Sequence, residues 1–261
     1  MFLTALTLFP EMFSGLFTTG VLGRGAAAGI ITCRAVNIRD FASGRHMVTD
    51  DRPFGGGSGM VMKPEPLAGA IAEARRLCPV ARVALLSPRG RPFSQAVARE
   101  YADLDGLTLV CGRYEGVDER ITDLVDEDLS LGDFILSGGE PAAMVVMDAV
   151  ARLVPGVLGN AESAGDESFE NGLLEHPQYT RPREFLGEGV PEVLLSGDHG
   201  AVDAWRKKAS LLRTLADRPD LFRDRPLDKE EADLLRRWKR EIDEVLAAQT
   251  VPGPAAPSGH G

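Results

Sequence analysis

Three short segments carry the polar chemistry this chain can bring to a small molecule: LLSPRG (85–90), VCGRYEGVDER (110–120) and LGDFILSGGE (131–140). Each couples an apolar run to a Ser-Pro or glycine turn, and such turns expose backbone N–H and C=O groups to whatever lies beside them. Asp133 and Glu140 stand in the third segment, where a phosphate binder would place lysine or bare amides. Repulsion between like charges then disfavours a pyrophosphate. No G-x-x-x-x-G-K-[ST] motif occurs, which excludes a P-loop. Gly23, Gly25 and Gly29 neither directly follow a strand nor clearly open a helix, as a dinucleotide fingerprint must. A ligand with ribose hydroxyls, a positive charge and no phosphate suits such walls. S-adenosylmethionine has all of these features.

Other polar groups have two readings each. In RHMVTDDRPFGGGSGMVM (45–62), His46, Asp50, Asp51 and Arg52 crowd before three consecutive glycines. Ordering such a run costs conformational entropy, so it is either a disordered loop or a lid that orders around a partner. Arg152 follows Asp148 at the i,i+4 spacing of a surface helix pair. Asp166 and Glu167, followed by Ser168 and Phe169, read on composition as a solvated acidic loop. Cations gather in AWRKKASLLR (204–213) and LLRRWKR (234–240), either as solvated helix faces or as a nucleic-acid grip. The net charge of −10 argues against nucleic acid, but a local basic face matters more than the total.

The elements that must position these groups alternate. FLTALTL (2–8), IITCRAVNI (30–38), ARVALLS (81–87) and LTLVCG (107–112) read as strands, and LGDFIL as a strand feeding the glycine turn. Helical stretches lie near Pro10, over 66–77 and over 94–101, with Ser94 suited to an N-cap, and a further helix begins at Pro141. This alternation predicts an α/β domain with a largely parallel sheet, whose ligands bind at the carboxyl ends of the strands. After Arg152 the pattern changes. VPGVLGNAESAGDESFENG (154–172) reads as a connector, 198–215 and 229–248 as helices, and VPGPAAPSGHG (251–261) as a disordered tail. Three cysteines, Cys33, Cys78 and Cys111, lack C-x-x-C spacing and are read as buried apolar residues. No run is long enough to span a bilayer. MFLTALTLFPEMF has no basic n-region or small-residue cleavage site, so the cytoplasm is the expected compartment.

Together the motifs resemble the bacterial tRNA (guanine-N1)-methyltransferase family. The carriers are LFPEMF (8–13), DDRPFGGGSGMVM (50–62), LSPRGRPF (86–93), VCGRYEGVDER, LGDFILSGGE, PGVLGN (155–160), GLLEHPQYTRP (172–182) and VPEVLLSGDH (190–199), in the family's order. The resemblance covers the chain up to about Lys239. It implies an α/β fold: a deep trefoil-knotted, parallel-sheet methyltransferase domain over 1–160, followed by a small helical C-terminal domain over 173–248. A flexible linker over 161–172 carries the candidate base, and 249–261 is the tail.

It further implies methyl transfer from S-adenosylmethionine to N1 of the guanosine immediately 3′ of the anticodon in tRNA. The enzyme would be an obligate homodimer with its tRNA site formed from both subunits, binding neither DNA nor membrane. The family suggests magnesium, but no ligand cluster identifies a metal site. Cofactor contacts fall on Leu86, Ser87 and Pro88, then Gly112, Tyr114, Glu115 and Gly116. They continue at Leu131, Gly132, Asp133, Phe134, Ile135, Leu136, Gly138 and Gly139. Arg152 matches an arginine that steadies the target guanine, and the base position directly before Ser-Phe is Glu167, where relatives often carry aspartate. Asp166 stands one residue earlier, so either carboxylate is a candidate base. His46, Asp50, Arg52, Tyr179, Arg181, Lys207 and Lys208 are the expected RNA contacts, while Gln178 replaces a frequent histidine.

In the reaction so implied, N1 of guanine must lose its proton to become a nucleophile, and a carboxylate within hydrogen-bond reach can take it. The acidic connector is expected to order only when RNA binds. The alternatives are a related knotted enzyme acting on another RNA nucleotide, such as a ribose 2′-hydroxyl, and an RNA-binding module that has lost its chemistry.

Overall fold

A computed structural model of the chain describes residues 1–158, 167–223 and 225–248. It divides into two compact units, Met1–Gly165 and Asp166–Gly261. In the first, strands β1 (Phe2–Thr7), β2 (Thr32–Asn37), β5 (Arg82–Pro92), β6 (Gly106–Cys111) and β7 (Glu127–Ser130) form one parallel sheet in the order β2-β1-β6-β5-β7. A separate two-stranded ladder joins β3 (Asp50–Asp51) to β4 (Val61–Met62). The helices of this unit are α1 (Ser14–Thr18), α2 (Gly20–Ala27), α3 (Pro64–Leu77), α4 (Gln95–Ala102) and α5 (Glu140–Ala151).

Side chains alternate across a strand, and here both faces of the sheet are covered. Leu3, Ala84, Leu107 and Leu109 face a core completed by residues of α2, α4 and α5. Leu6, Val83, Leu85 and Val110 point to the other face, against Leu67, Ala70 and Ile71 of α3. That double burial explains why the central strands read as nearly continuous apolar runs. Each leucine so buried contributes about 1.5–3 kcal/mol. Ser94 caps α4 as expected, its Oγ accepting from the Val97 N–H at 3.4 Å. Proline opens α3 and α5, where its missing N–H costs nothing.

Two expectations are corrected. The strand read over 81–87 continues to Pro92, because Leu129 pairs first with Leu86 and again with Arg91. Residues 87–90 thus leave the ladder and return to it. A Cβ on Gly90 would lie 2.4 Å from the backbone nitrogen of Leu129, so only glycine lets the chain return there. The flanking arginines close the excursion. Arg82 and Arg91 both ion-pair with Glu100 of α4, and Arg82 reaches Glu127 of β7 at 3.5 Å. Arg89, within it, binds Asp128 at 2.6 Å and Glu119 at 2.8 Å.

The second correction concerns LGDFIL, which is an irregular turn and not a strand. The strand is the preceding EDLS, β7. Its charged start conceals it from any search for apolar alternation. As an edge strand it keeps Glu127 and Asp128 only partly buried and ion-paired with the arginines just named.

The second unit contains two long helices, α6 (His199–Asp217) and α7 (Lys229–Ala248), near the segments read as helical over 198–215 and 229–248. The Asp198 side chain caps α6 by accepting from the Ala201 N–H at 3.0 Å. At the start of α7, Asp228 and Glu231 each accept from the other's N–H, at 2.8 and 3.0 Å, a reciprocal capping box. The tail 249–261 lies outside the described residues. The three cysteines are free; Cys78 and Cys111 are buried and Cys33 is half-buried.

Candidate functional site

Strands β6, β5 and β7 are neighbours, so their carboxyl ends open side by side onto a cavity of about 410 Å³. That is a volume suited to a small-molecule ligand. The first wall is the start of the strand excursion, Leu86, Ser87 and Pro88. The second is the turn after β6, with Gly112, Tyr114, Glu115 and Gly116. The third follows β7, with Leu131, Gly132, Phe134, Ile135, Leu136, Gly138 and Gly139. Asp133, expected among them, does not line the cavity and is exposed. Arg113, Leu129, Ser130, Ser137 and Ala142 do line it. The sequence reading passed over these five, although all lie in or beside the quoted motifs.

Close backbone approach explains the glycines. Gly139 N–H donates to the Gly112 carbonyl at 2.8 Å, and a Cβ on Gly139 would sit 2.8 Å from Cys111 Cα. The second and third walls are therefore pressed together through bare backbone. Tyr114 holds a left-handed φ of 59°, a conformation that a bulky residue keeps only where its surroundings impose it.

The acids that seemed to charge this site are placed differently. Glu140 is fully buried and turned into the fold. Its carboxylate accepts from the Thr7 hydroxyl at 2.8 Å and from Arg113 Nε at 3.1 Å. The Arg113 guanidinium in turn lies 4.2 Å from the centre of the Phe9 ring. Glu140 thus joins the end of β1, the turn after β6 and the start of α5. With Asp133 outside the wall, the carboxylate on the cavity is that of Glu115.

The glycine loop of 45–62 is tied to the same turn. Met62 N–H donates to Gly116 O at 2.9 Å, and Glu115 N–H donates to Met60 O at 3.0 Å. A Cβ on Gly59 would meet Glu115 Oε1 at 2.2 Å, so the carboxylate lies directly over the glycine backbone. The described structure of this segment is a short hairpin: Asp50 pairs with Met62 and Asp51 with Val61, and His46 and Arg52 are exposed.

Arg152 ends α5 in the first unit, its N–H donating to Asp148 O at 3.3 Å. Asp166 lies outside the described residues. Glu167 begins a turn in the second unit, where it lines a cavity of about 620 Å³ with His176, Arg206, Lys207 and Arg225 among others. Instead of an open acidic loop, residues 167–175 are hydrogen-bonded within that unit. Glu175 N–H donates to Ser168 Oγ at 3.0 Å and Leu174 N–H to the buried Thr214 Oγ1 at 2.9 Å. Tyr179 and His176 each stand 6.2 Å from the Trp205 ring, and Arg181 is exposed.

The cations of α6 are engaged. Lys207 binds Glu230 at 2.9 Å and Asp228 at 3.2 Å, and these hydrogen bonds hold its ammonium above the usual lysine range. Lys208 lies 5.6 Å over the Trp238 ring, Arg206 is 3.5 Å from Asp203, and Arg213 is 3.8 Å from Asp217. Among the described residues no three His, Cys, Asp or Glu side chains converge as a metal site would require, and no helix is long and apolar enough to cross a membrane.

Residues 1–224 match a family model described as tRNA (Guanine-1)-methyltransferase TrmD. A tRNA (guanine-N(1)-)-methyltransferase of Desulfatibacillum aliphaticivorans is 56% identical over 252 residues, which is 96% of each chain. The protein of that name from Geotalea uraniireducens is 57% identical over 90% of this chain and 96% of its own. That from Myxococcus xanthus is 56% identical over 91% and 96%.

Proposed function

The chain belongs to the tRNA (guanine-1)-methyltransferase family, and on that basis we propose that it transfers a methyl group from S-adenosylmethionine to N1 of the guanosine immediately 3′ of the anticodon in tRNA. The observation that carries this reading is the cavity at the ends of β5, β6 and β7, walled by the same segments that carry the family motifs. Its glycine and Ser-Pro turns expose backbone groups able to exchange hydrogen bonds with an adenine and a ribose. Its carboxylate, Glu115, suits a ligand that is cationic and lacks phosphate.

The residues divide the chemistry as follows. Glu167 takes the proton from guanine N1 and becomes a carboxylic acid; Asp166 is the alternative for this step. Negative charge then grows on O6, where the Arg152 guanidinium stabilises it electrostatically. The 86–88, 112–116 and 131–139 segments would hold S-adenosylmethionine, which when bound would supply an electrophilic methyl and a neutral thioether leaving group. Backbone contacts from 86–88, 112–116 and 131–139 orient the methyl toward N1, and such positioning supplies much of the rate. Asp50, Arg52 and His46, on the hairpin bonded to the 113–117 turn, meet the RNA beside the cofactor. Tyr179, Arg181, Lys207 and Lys208 meet it from the helical unit.

A trefoil knot, a homodimer and the cytoplasm belong to the same proposal. The cytoplasm follows from the tRNA substrate. For magnesium the described residues offer no ligand set, and no step is drawn through it.

The test is transfer of labelled methyl from S-adenosylmethionine to unmodified tRNA transcripts carrying guanine or adenine immediately 3′ of the anticodon. Incorporation only with guanine, lost in Arg152→Ala, is the expected result. Equal incorporation into both transcripts would assign another target nucleotide. Cofactor binding without any transfer would leave an RNA-binding module.

A further inference from the structure

The candidate base does not sit on a free connector. Its turn is fastened to the helical unit at several points, and the most elaborate of these is Arg225. Arg225 Nε donates to the Asn171 carbonyl at 2.6 Å, four residues beyond Glu167. Its two terminal nitrogens donate to Glu231 at 2.7 and 2.8 Å, a bidentate pair whose carboxylate is only 3% exposed. Glu231 is itself fixed, since it is half of the capping box that opens α7. Two of the guanidinium's N–H donors are therefore fixed by the start of a helix, and its Nε–H holds the turn.

The turn is shaped to receive it. Gly172 has a φ of 69°, and a Cβ there would lie 2.6 Å from Arg225 Cδ, so the arginine stem packs where a side chain would be. Phe169 adopts a φ of 75°, strained for an aromatic residue, and is held by its N–H donating to Leu173 O at 2.8 Å. The Arg218 guanidinium stands 5.9 Å from the Phe169 ring. A surface turn with no task beyond connection does not need a strained phenylalanine and an arginine held bidentate by a buried carboxylate beneath it.

We propose that Arg225 is a positioning residue for methyl transfer, seating the 167–172 turn on the start of α7 and thereby setting the orientation of the Glu167 carboxylate. The inference rests on the reading of Glu167 as the base. Proton transfer needs donor and acceptor within about 2.6–3.2 Å, and an error of about 1 Å can cost about 100-fold in rate. A base on a turn meets that demand only if the turn is held from behind.

The experiment is a double-mutant cycle between Glu167→Ala and Arg225→Lys in the full-length enzyme. It is read by single-turnover methyl transfer at saturating tRNA and S-adenosylmethionine. Lysine keeps a positive charge for Glu231 but lacks the fork that also reaches Asn171. Arg225→Lys should slow transfer at least tenfold and leave the KM for S-adenosylmethionine within twofold. In the Glu167→Ala background, the same change should cost less than twofold, because no carboxylate remains to be oriented. Equal losses in both backgrounds would overturn the positioning role while leaving Glu167 as the base. A Glu167→Ala enzyme that retains the wild-type rate would overturn the base assignment itself, and the proposal with it. A loss seen only at subsaturating tRNA, with the rate at saturation unchanged, would make Arg225 an RNA contact, again overturning the proposal. Gly172→Ala is the second variant should Arg225→Lys fail to fold, and the same signature is expected of it.

Discussion

Replacing Glu140 by alanine should loosen the first unit and its cofactor site together. The carboxylate is fully buried and accepts from Thr7 and Arg113, at 2.8 and 3.1 Å. Deleting one member of a buried ion pair costs about 3–5 kcal/mol, because the other charge stays behind. Arg113 keeps 20% of its side chain exposed, so water can reach it in part and the lower end, about 3 kcal/mol, applies. The orphaned Thr7 hydroxyl adds about 1 kcal/mol. For a unit of this size each kcal/mol moves the melting midpoint by about 2–4 °C, so Glu140→Ala should lower it by about 8–16 °C. Glu140→Gln keeps one acceptor oxygen but places an amide NH2 where the second oxygen accepted from Arg113, so it should cost less than Glu140→Ala without restoring wild-type stability.

The assay is thermal and urea unfolding followed by far-ultraviolet circular dichroism, with S-adenosylmethionine affinity measured by calorimetry below the transition. Affinity should fall, because Arg113 anchors the turn that forms the second wall. Pairing Glu140→Ala with Arg113→Met removes both charges, and the double variant should be less destabilised than the sum of the singles. An alanine variant within about 1 kcal/mol of wild type, with unchanged cofactor affinity, would refute the view that this carboxylate joins three elements of the site.

Other outcomes follow from the same contacts. Gly90→Ala forces a methyl toward the Leu129 backbone, which cannot rotate away, and should cost about 1–3 kcal/mol in urea unfolding while raising the KM for S-adenosylmethionine. Hydrogen bonds from Arg225 hold the Glu231 carboxyl below the usual carboxylate range. Its folded pKa is therefore depressed, so the stabilisation is complete above the ordinary value of about 4.3 and is lost as pH falls through the lower folded one. The fluorescence of Trp205 and Trp238, the chain's two tryptophans and both in the helical unit, should report that loss in wild type and not in Glu231→Gln. Changing Lys207 and Lys208 to glutamine should lower the salt dependence of tRNA binding by about 1–2 in log–log slope, measured by filter binding between about 50 and 200 mM salt. An unchanged slope would remove them from the RNA contact.

Periodicity and turn chemistry are local properties, and they located the parallel α/β unit, its buried strands, the Ser94 cap and the helices of the second unit with their boundaries nearly in place. The family blocks located the cavity walls for a similar reason: backbone-lined turns require glycine or Ser-Pro at set places in the chain, and those residues are visible without a fold. What stayed hidden depends on partners distant in sequence. β7 begins with Glu127 and Asp128, whose charges are tolerable only because Arg82 and Arg89 arrive from β5. Glu140 read as an acid facing the ligand, and only packing against Thr7, 133 residues away, turns it inward. The Ser-Pro turn after Leu86 is visible in the sequence, but the return of the strand is not, because pairing of Leu86 and Arg91 to the same leucine is a property of the sheet. Glu167 looked like part of a solvated loop for the same reason: the turn that follows it is held at Asn171 by Arg225, which Glu231 of α7 holds in turn, and those partners are distant in sequence. Residue type and spacing determine which groups a chain can offer to chemistry. Burial and long-range pairing decide which of them face the ligand, because only the folded state brings their partners within hydrogen-bond distance.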